Sequence, residues 1–196
     1  MSSGRLNPQD LKNSYVLCIC EGTAEEVILN RLLDENCLIF NRNQVIDKAP
    51  TRIRQARKIE SSFLNRDFAK DVVILRIIDS RREKFNLGKL YRERFSVYDI
   101  LTTPEIEMLM VWGENLYEEF KKSRKKPSDF MAAVHAREEI KSRPYLERYY
   151  ADVNYLLTAI ENYARDASHR DELGLYQLTK RAGTYAFGCR RSKKIF

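Results

Sequence analysis

Tyr15-Val16-Leu17-Cys18-Ile19-Cys20-Glu21-Gly22-Thr23-Ala24-Glu25 is a short, β-prone apolar run that stops abruptly at an acid and a glycine. A run apolar at every position is expected of a strand covered on both faces in a parallel sheet, because a half-exposed strand would alternate apolar and polar residues. Gly22 lets the chain turn sharply beside Glu21. Thr23 followed three residues later by Glu26 has the pattern of a capping box, so a helix is expected from Thr23, with Val27, Ile28, Leu32 and Leu33 turned inward.

The same grammar repeats downstream. A second short strand is expected within 38–46, and Ile53, Ala56, Ile59, Phe63 and Leu64 then recur at helical spacing on a segment decorated by Arg52, Arg54, Arg57 and Lys58. Val72-Val73-Ile74-Leu75-Arg76-Ile77-Ile78 is the clearest strand and ends at Asp79. After the polar stretch 80–94, residues 96–101 are expected to form another strand, and Pro104 opens a helix expected to span 105–122. Strands alternating with helices predict an α/β fold with a mostly parallel sheet flanked by helices. Beyond the basic run at 121–126 the strand signal ends. Tyr145, Tyr149, Val153, Leu156, Ile160 and Tyr163 then fall on one stripe of a single long helix, read as a packing face. This divides the chain into an α/β domain at 1–125 and a helical extension with a basic tail at 126–196.

The 196 residues carry a formal net charge of +7, with 43% hydrophobic and 32% charged residues. That length buries one substantial core. The basic excess favours polyanions, because Lys and Arg contacts to phosphates release condensed counterions. Cys18, Cys20, Cys37 and Cys189 form no CxxC pair and read as reduced thiols. His135 and His169, the two histidines, read as solvated or packed. There is no apolar leader and no membrane-length apolar run, so a cytoplasmic protein is expected.

In a parallel sheet, the carboxyl ends of the strands face the crevice where ligands bind. Glu21 and Asp79 both follow such ends. On neighbouring strands about 5 Å apart, their carboxylates can share one divalent cation. Glu25, in the first helical turn, projects toward the same edge. Each acid also has a plainer reading: first-turn acids stabilise the helix dipole, and a lone Asp after a strand often starts a turn. The basic segments 52–58, 121–126 and 181–194 are candidate phosphate-contacting surfaces, with Arg57, Lys58, Lys121, Lys122, Arg190 and Arg191 as the residues in question. In the last of them Tyr185 and Phe187 can stack on bases. No GxxxxGK[ST] loop is present, so any ATPase involvement requires another polypeptide.

These residues resemble a known family. The Val16–Glu25 run resembles the first TOPRIM motif, a hydrophobic strand ending in EGxxE. The strand ending at Asp79 resembles the second, which ends in DxD. Pro104-Glu105-Ile106-Glu107 before Met108-Leu109-Met110-Val111 is similar to the PxxE element of RloB-like and OLD-type phage-defence TOPRIM nucleases. The resemblance covers 15–120. It implies a TOPRIM-like fold and a Mg²⁺- or Mn²⁺-dependent nuclease acting on DNA or RNA. In that reading Glu21 and Asp79 are catalytic, Glu21 serves as general acid or base, and Glu21, Glu25, Asp79 and Glu107 hold the metal. Glu107 is preferred to Glu105, which reads as a first-turn dipole acid. One departure stands out: the DxD pattern reads Asp79-Ser80-Arg81, so its second carboxylate is missing. Arg81 is instead a candidate phosphate contact, and Glu83 a candidate replacement acid. A non-catalytic nucleic-acid-binding or partner-binding module is the competing reading, and a structural subunit held through the C-terminal helices is a third.

Overall fold

The computed structural model describes residues 6, 8–136, 138–166 and 172–183. Strands β1 (Tyr15–Cys20), β2 (Val72–Ile78) and β3 (Ser96–Leu101) form a parallel sheet in the order β1-β2-β3. Cys20 lies opposite Ile77, and Ile78 opposite Leu101, so the three strands deliver their carboxyl ends to one edge. Around the sheet are helices α1 (Pro8–Asn13), α2 (Thr23–Asp34), α3 (Ala56–Ile59), α4 (Lys89–Arg94), α5 (Met108–Gly113), α6 (Tyr117–Ser123), α7 (Pro127–Val134), α8 (Arg143–Tyr149) and α9 (Val153–Arg165). The protein is thus an α/β fold with a parallel sheet flanked by helices and further helices toward its C-terminus, an arrangement consistent with a TOPRIM-like fold.

The apolar runs of β1 and β2 are explained by the layers on either side. Val16, Cys18, Cys20, Val73, Leu75 and Ile77 face a core built with Ile28, Leu32, Met110, Leu146, Leu156 and Ile160. Leu17, Ile19, Val72 and Ile74 face a smaller core containing Ile59, Phe63, Leu64, Leu87 and Phe95. Complete burial of a side chain of this size is worth about 1.5–3 kcal/mol, so covering both faces stabilises the central strands heavily. β1 does not end as a bare edge. Cys20 N–H donates to Thr51 O and Thr51 N–H donates to Cys18 O, both at 2.8 Å.

Four expectations from the sequence are corrected. Residues 38–46 contain no strand: Leu38 and Val45 make only isolated bridges, to Thr179 and Val16, and the chain turns through a 3₁₀ segment, Arg42–Gln44, capped by the Asn41 side chain. The helix expected at 105–122 is two helices, α5 and α6, separated around Asn115, whose φ of 59° is left-handed. The long helix expected through Tyr145 and Tyr163 is also two, because Asp152 caps the start of α9 by accepting from Asn154 N–H at 2.8 Å. Both halves of each pair still present apolar residues to the same core, which is why the sequence pattern runs through the breaks. The cap of α2 is shifted by one residue: Glu25, not Glu26, accepts from the residue before the helix, with Gly22 N–H donating to its Oε2 at 2.9 Å. Glu26 pairs with Arg143 at 2.8 Å.

Candidate active site at the carboxyl edge of the sheet

Glu21 follows β1 and Asp79 follows β2, on strands hydrogen-bonded to each other. Glu21 N–H donates to Ile77 O at 3.2 Å, and Asp79 N–H donates to Glu21 Oε2 at 3.0 Å. The end of one strand is therefore tied to the acid that ends its neighbour. Burial, the nearby Glu21 carboxylate and those of Glu105 and Glu107 push the Asp79 carboxyl up to about 6.

Glu25 and Glu107 approach from the first turn of α2 and from the residue before α5. Both are almost fully buried, at 5% and 4% exposure. Burial pushes Glu25 up to about 7. The hydrogen bonds that it accepts from backbone N–H groups oppose this, and the charges of Glu107 and Glu21 reinforce it. Glu25 and Asp79 thus each feel the charges of Glu21 and Glu107 at this edge of the sheet. Gly22 leaves room for this packing, since a Cβ there would lie 3.0 Å from Glu25 Oε2.

Protein cations and N–H groups face these acids. Arg54 Nη1 donates to Glu21 Oε1 at 2.8 Å, and Lys141 Nζ lies 3.4 Å from Glu107 Oε1. No three His, Cys, Asp or Glu side chains among the described residues are grouped to hold a metal ion. The donor chemistry nonetheless suits a hard divalent cation, being carboxylate oxygen throughout. Glu105 is placed differently from Glu107. It precedes α5, is only half-buried, and its Oε2 accepts from Ser128 N–H at 2.9 Å at the start of α7, so its dipole role is toward another helix than the one expected.

The remaining candidates divide. Arg81 is exposed but held by partners of the same chain, ion-paired with Glu172 and donating to Thr103 Oγ1 at 3.0 Å. Glu83 is held by arginines: Arg76 Nη2 at 3.0 Å and, more loosely, Arg54 Nη1 at 3.8 Å. Arg57 and Lys58 are exposed on α3, and Lys121 and Lys122 are exposed on the last turn of α6, where the Lys121 ammonium stands over the Tyr117 ring. Arg190, Arg191, Tyr185 and Phe187 lie outside the described residues, as do Cys189 and His169. Cys18 and Cys20 are buried free thiols.

Two residues here, Lys141 and Arg76, were not singled out from the sequence, and Arg54 was expected only as part of the phosphate-contacting segment 52–58. Arg54 and Lys141 are ordinary surface cations by composition, and only the fold brings them to the acids. Arg76 did carry a signal, being the one charge inside the β2 run. It is 2% exposed, lies opposite Asp99 in the β3 register, pairs with it at 2.8 Å and stacks over Phe85. A charge this deep requires such partners. Asp99, Arg76, Glu83, Arg54 and Glu21 form a continuous chain of ion pairs from β3 to the acid edge. A cavity of about 410 Å³ lined by Asn13, Lys70, Asp71, Arg94 and Phe95 lies at the other end of the strands, away from these acids.

No family model, curated protein or solved structure matches this chain. Among the described residues no helix is long and apolar enough to cross a membrane.

Proposed function

We propose that this chain is a cytoplasmic, divalent-cation-dependent phosphodiester hydrolase acting on DNA or RNA, a TOPRIM-type nuclease of the phage-defence kind. The observation that carries the reading is the placement of Glu21 and Asp79 at the carboxyl ends of two adjacent parallel strands, with the Asp79 N–H on Glu21 Oε2 and the Asp79 carboxyl raised by burial and by the charges of Glu21, Glu105 and Glu107. Like charges brought together at a ligand-binding edge gain most from a cation between them. Glu21, Asp79, Glu25 and Glu107 are the residues that would hold Mg²⁺ or Mn²⁺. Bound there, the ion would orient a nucleophilic water and stabilise charge on the leaving oxygen. Glu21, fixed by the Asp79 N–H, is the residue assigned to proton transfer. Arg57, Lys58, Lys121 and Lys122 supply phosphate contacts on the exposed surface, and a separate ATPase or defence subunit would act as partner. Incubating the full chain with labelled single- and double-stranded DNA and RNA, with Mg²⁺ or with chelator, tests this. Cleavage that requires the metal is the expected result.

Two observations favour a second reading, a nucleic-acid-binding or partner-binding module without turnover. Arg54 is seated on Glu21, and the position of the second motif acid is an arginine already paired with Glu172. Metal-independent binding with no cleavage of any of the four substrates would select it.

A further inference from the structure

Arg54 stands 2.8 Å from Glu21 Oε1 with one nitrogen, and that same nitrogen is 3.8 Å from Glu83 Oε2. The two acids differ in how they are held. Glu21 accepts a backbone N–H from Asp79, at the edge where the acids gather. Glu83 is fixed on its other oxygen by Arg76, which is itself buried and clamped by Asp99. Arg54 is 44% exposed on its side chain, so it moves without disturbing the core. Glu83 is therefore a stationary second acceptor, a short displacement from the first.

We infer that Arg54 is an exchangeable counter-ion of the acid edge: it neutralises Glu21 while no cation is bound and transfers to Glu83 when a divalent cation takes Glu21. This rests on the proposed metal-dependent function and adds a residue that sets the affinity for the metal. The physical reason is competition. A guanidinium and a divalent cation on the same carboxylate repel each other and share its lone pairs, so a cation that binds Glu21 does so against Arg54. Because the pair is half-exposed, the competition is mild, as befits an ion pair worth up to about 1 kcal/mol, or roughly fivefold in affinity. Arg81, by contrast, is tied to Glu172 and Thr103, away from this exchange.

The sign of one measurement separates this role from its alternative. If Arg54 merely held Glu21 in place for the metal, removing it would weaken metal binding; if it competes, removal tightens binding. Mn²⁺ titrated into the full chain, followed by the loss of its free electron-spin-resonance signal, gives the affinity without any turnover. Arg54→Ala is expected to bind Mn²⁺ about two- to fivefold more tightly than the native chain. Arg54→Lys, which keeps the charge, is expected to stay near native. Arg57→Ala is the control for bulk charge, since Arg57 is exposed on α3 and a distant surface charge is screened by salt. Equal or weaker binding by Arg54→Ala overturns the exchange while leaving the metal-dependent function standing, and so does equal tightening by Arg57→Ala. Absence of Mn²⁺ binding by both the native chain and Arg54→Ala overturns the function and the exchange together. Binding by Arg54→Ala alone supports the exchange in its strongest form.

Discussion

Two carboxylates in this molecule, Glu114 and Asp79, are partly buried in opposite company. Glu114 Oε1 lies 2.8 Å from His135 Nε2 and accepts from Tyr149 O–H at 2.6 Å, and Tyr149 in turn meets the Tyr155 hydroxyl at 2.6 Å. His135 packs edge-on against Tyr145 and Tyr149, and burial together with the bond to Glu114 pushes the Tyr149 hydroxyl far above its ordinary value. This is how a structural acid is accommodated: donors converge on it, and aromatic rings exclude water. Asp79 has acids around it instead, Glu21, Glu105 and Glu107, and its carboxyl rises because its charged form is disfavoured. One region uses a charge to hold helices together. The other holds charges together at the cost of stability, which is the pattern of a site kept for a ligand.

The largest test of the contrast is to neutralise each acid. Asp79→Asn is expected to lower metal-stimulated cleavage by at least about 100-fold with no loss of melting temperature, since it removes repulsion and little volume. Cleavage assays and thermal melts by circular dichroism check both halves, and undiminished cleavage would remove Asp79 from the site. Glu107→Gln and Glu105→Gln sharpen the boundary of the acid edge. The first is expected to lose about tenfold or more in activity, and the second to keep most of it because Glu105 is committed to the start of α7. Equal kinetics would undo that distinction. Glu114→Leu is expected to leave cleavage intact and cost about 1–3 kcal/mol in denaturant titration, because the Tyr149 hydroxyl loses its acceptor.

The next effect is one of pH. Glu25 and Asp79 are raised, to about 7 and about 6, so the folded chain retains protons that the unfolded chain has already released. In this window the native state binds more protons than the unfolded state. The stabilisation from these two groups is therefore present at acid pH and is lost as pH rises from about 4 toward 7, by at most about 1.4 kcal/mol per pH unit for each group. Metal-free melts across this range should show the fall, and Glu25→Gln should flatten it; an unchanged slope in that variant would place the proton uptake elsewhere. The smallest effect is expected of Gly22→Ala. The new methyl presses on the Glu25 carboxylate, the mobile end of a side chain, and should cost under about 1 kcal/mol in the same denaturant titration.

The strands with Glu21 and Asp79 at their ends were legible because continuous burial on both faces writes itself as continuous apolar sequence. Their parallel pairing followed from the helices between them. The absent strand at 38–46 shows the limit of that signal. Leu38, Phe40, Val45 and Ile46 are buried like strand residues, yet Asn41 turns the chain between them. The two broken helices were illegible for the opposite reason, because each pair shares one core and keeps the helical period across the gap. Asp152 was the available clue, an N-cap residue inside an apolar stripe. For the candidate site, Glu21 and Asp79 were legible as acids following strand ends, whereas Glu107 came only from the resemblance of its short motif. The cations that meet those acids were not legible, because Arg54 and Lys141 arrive from loops far away in sequence, and their pairing is a product of the tertiary fold.

The central claim is that Glu21 and Asp79 end adjacent strands in order to share a divalent cation. Crystals of the full chain soaked in Mn²⁺, with diffraction collected at a wavelength where manganese scatters anomalously, address it directly. The account predicts an anomalous peak bounded by the Glu21 and Asp79 carboxylates, with Arg54 withdrawn from Glu21. A map with no peak between them, and Arg54 still seated on Glu21, would contradict it.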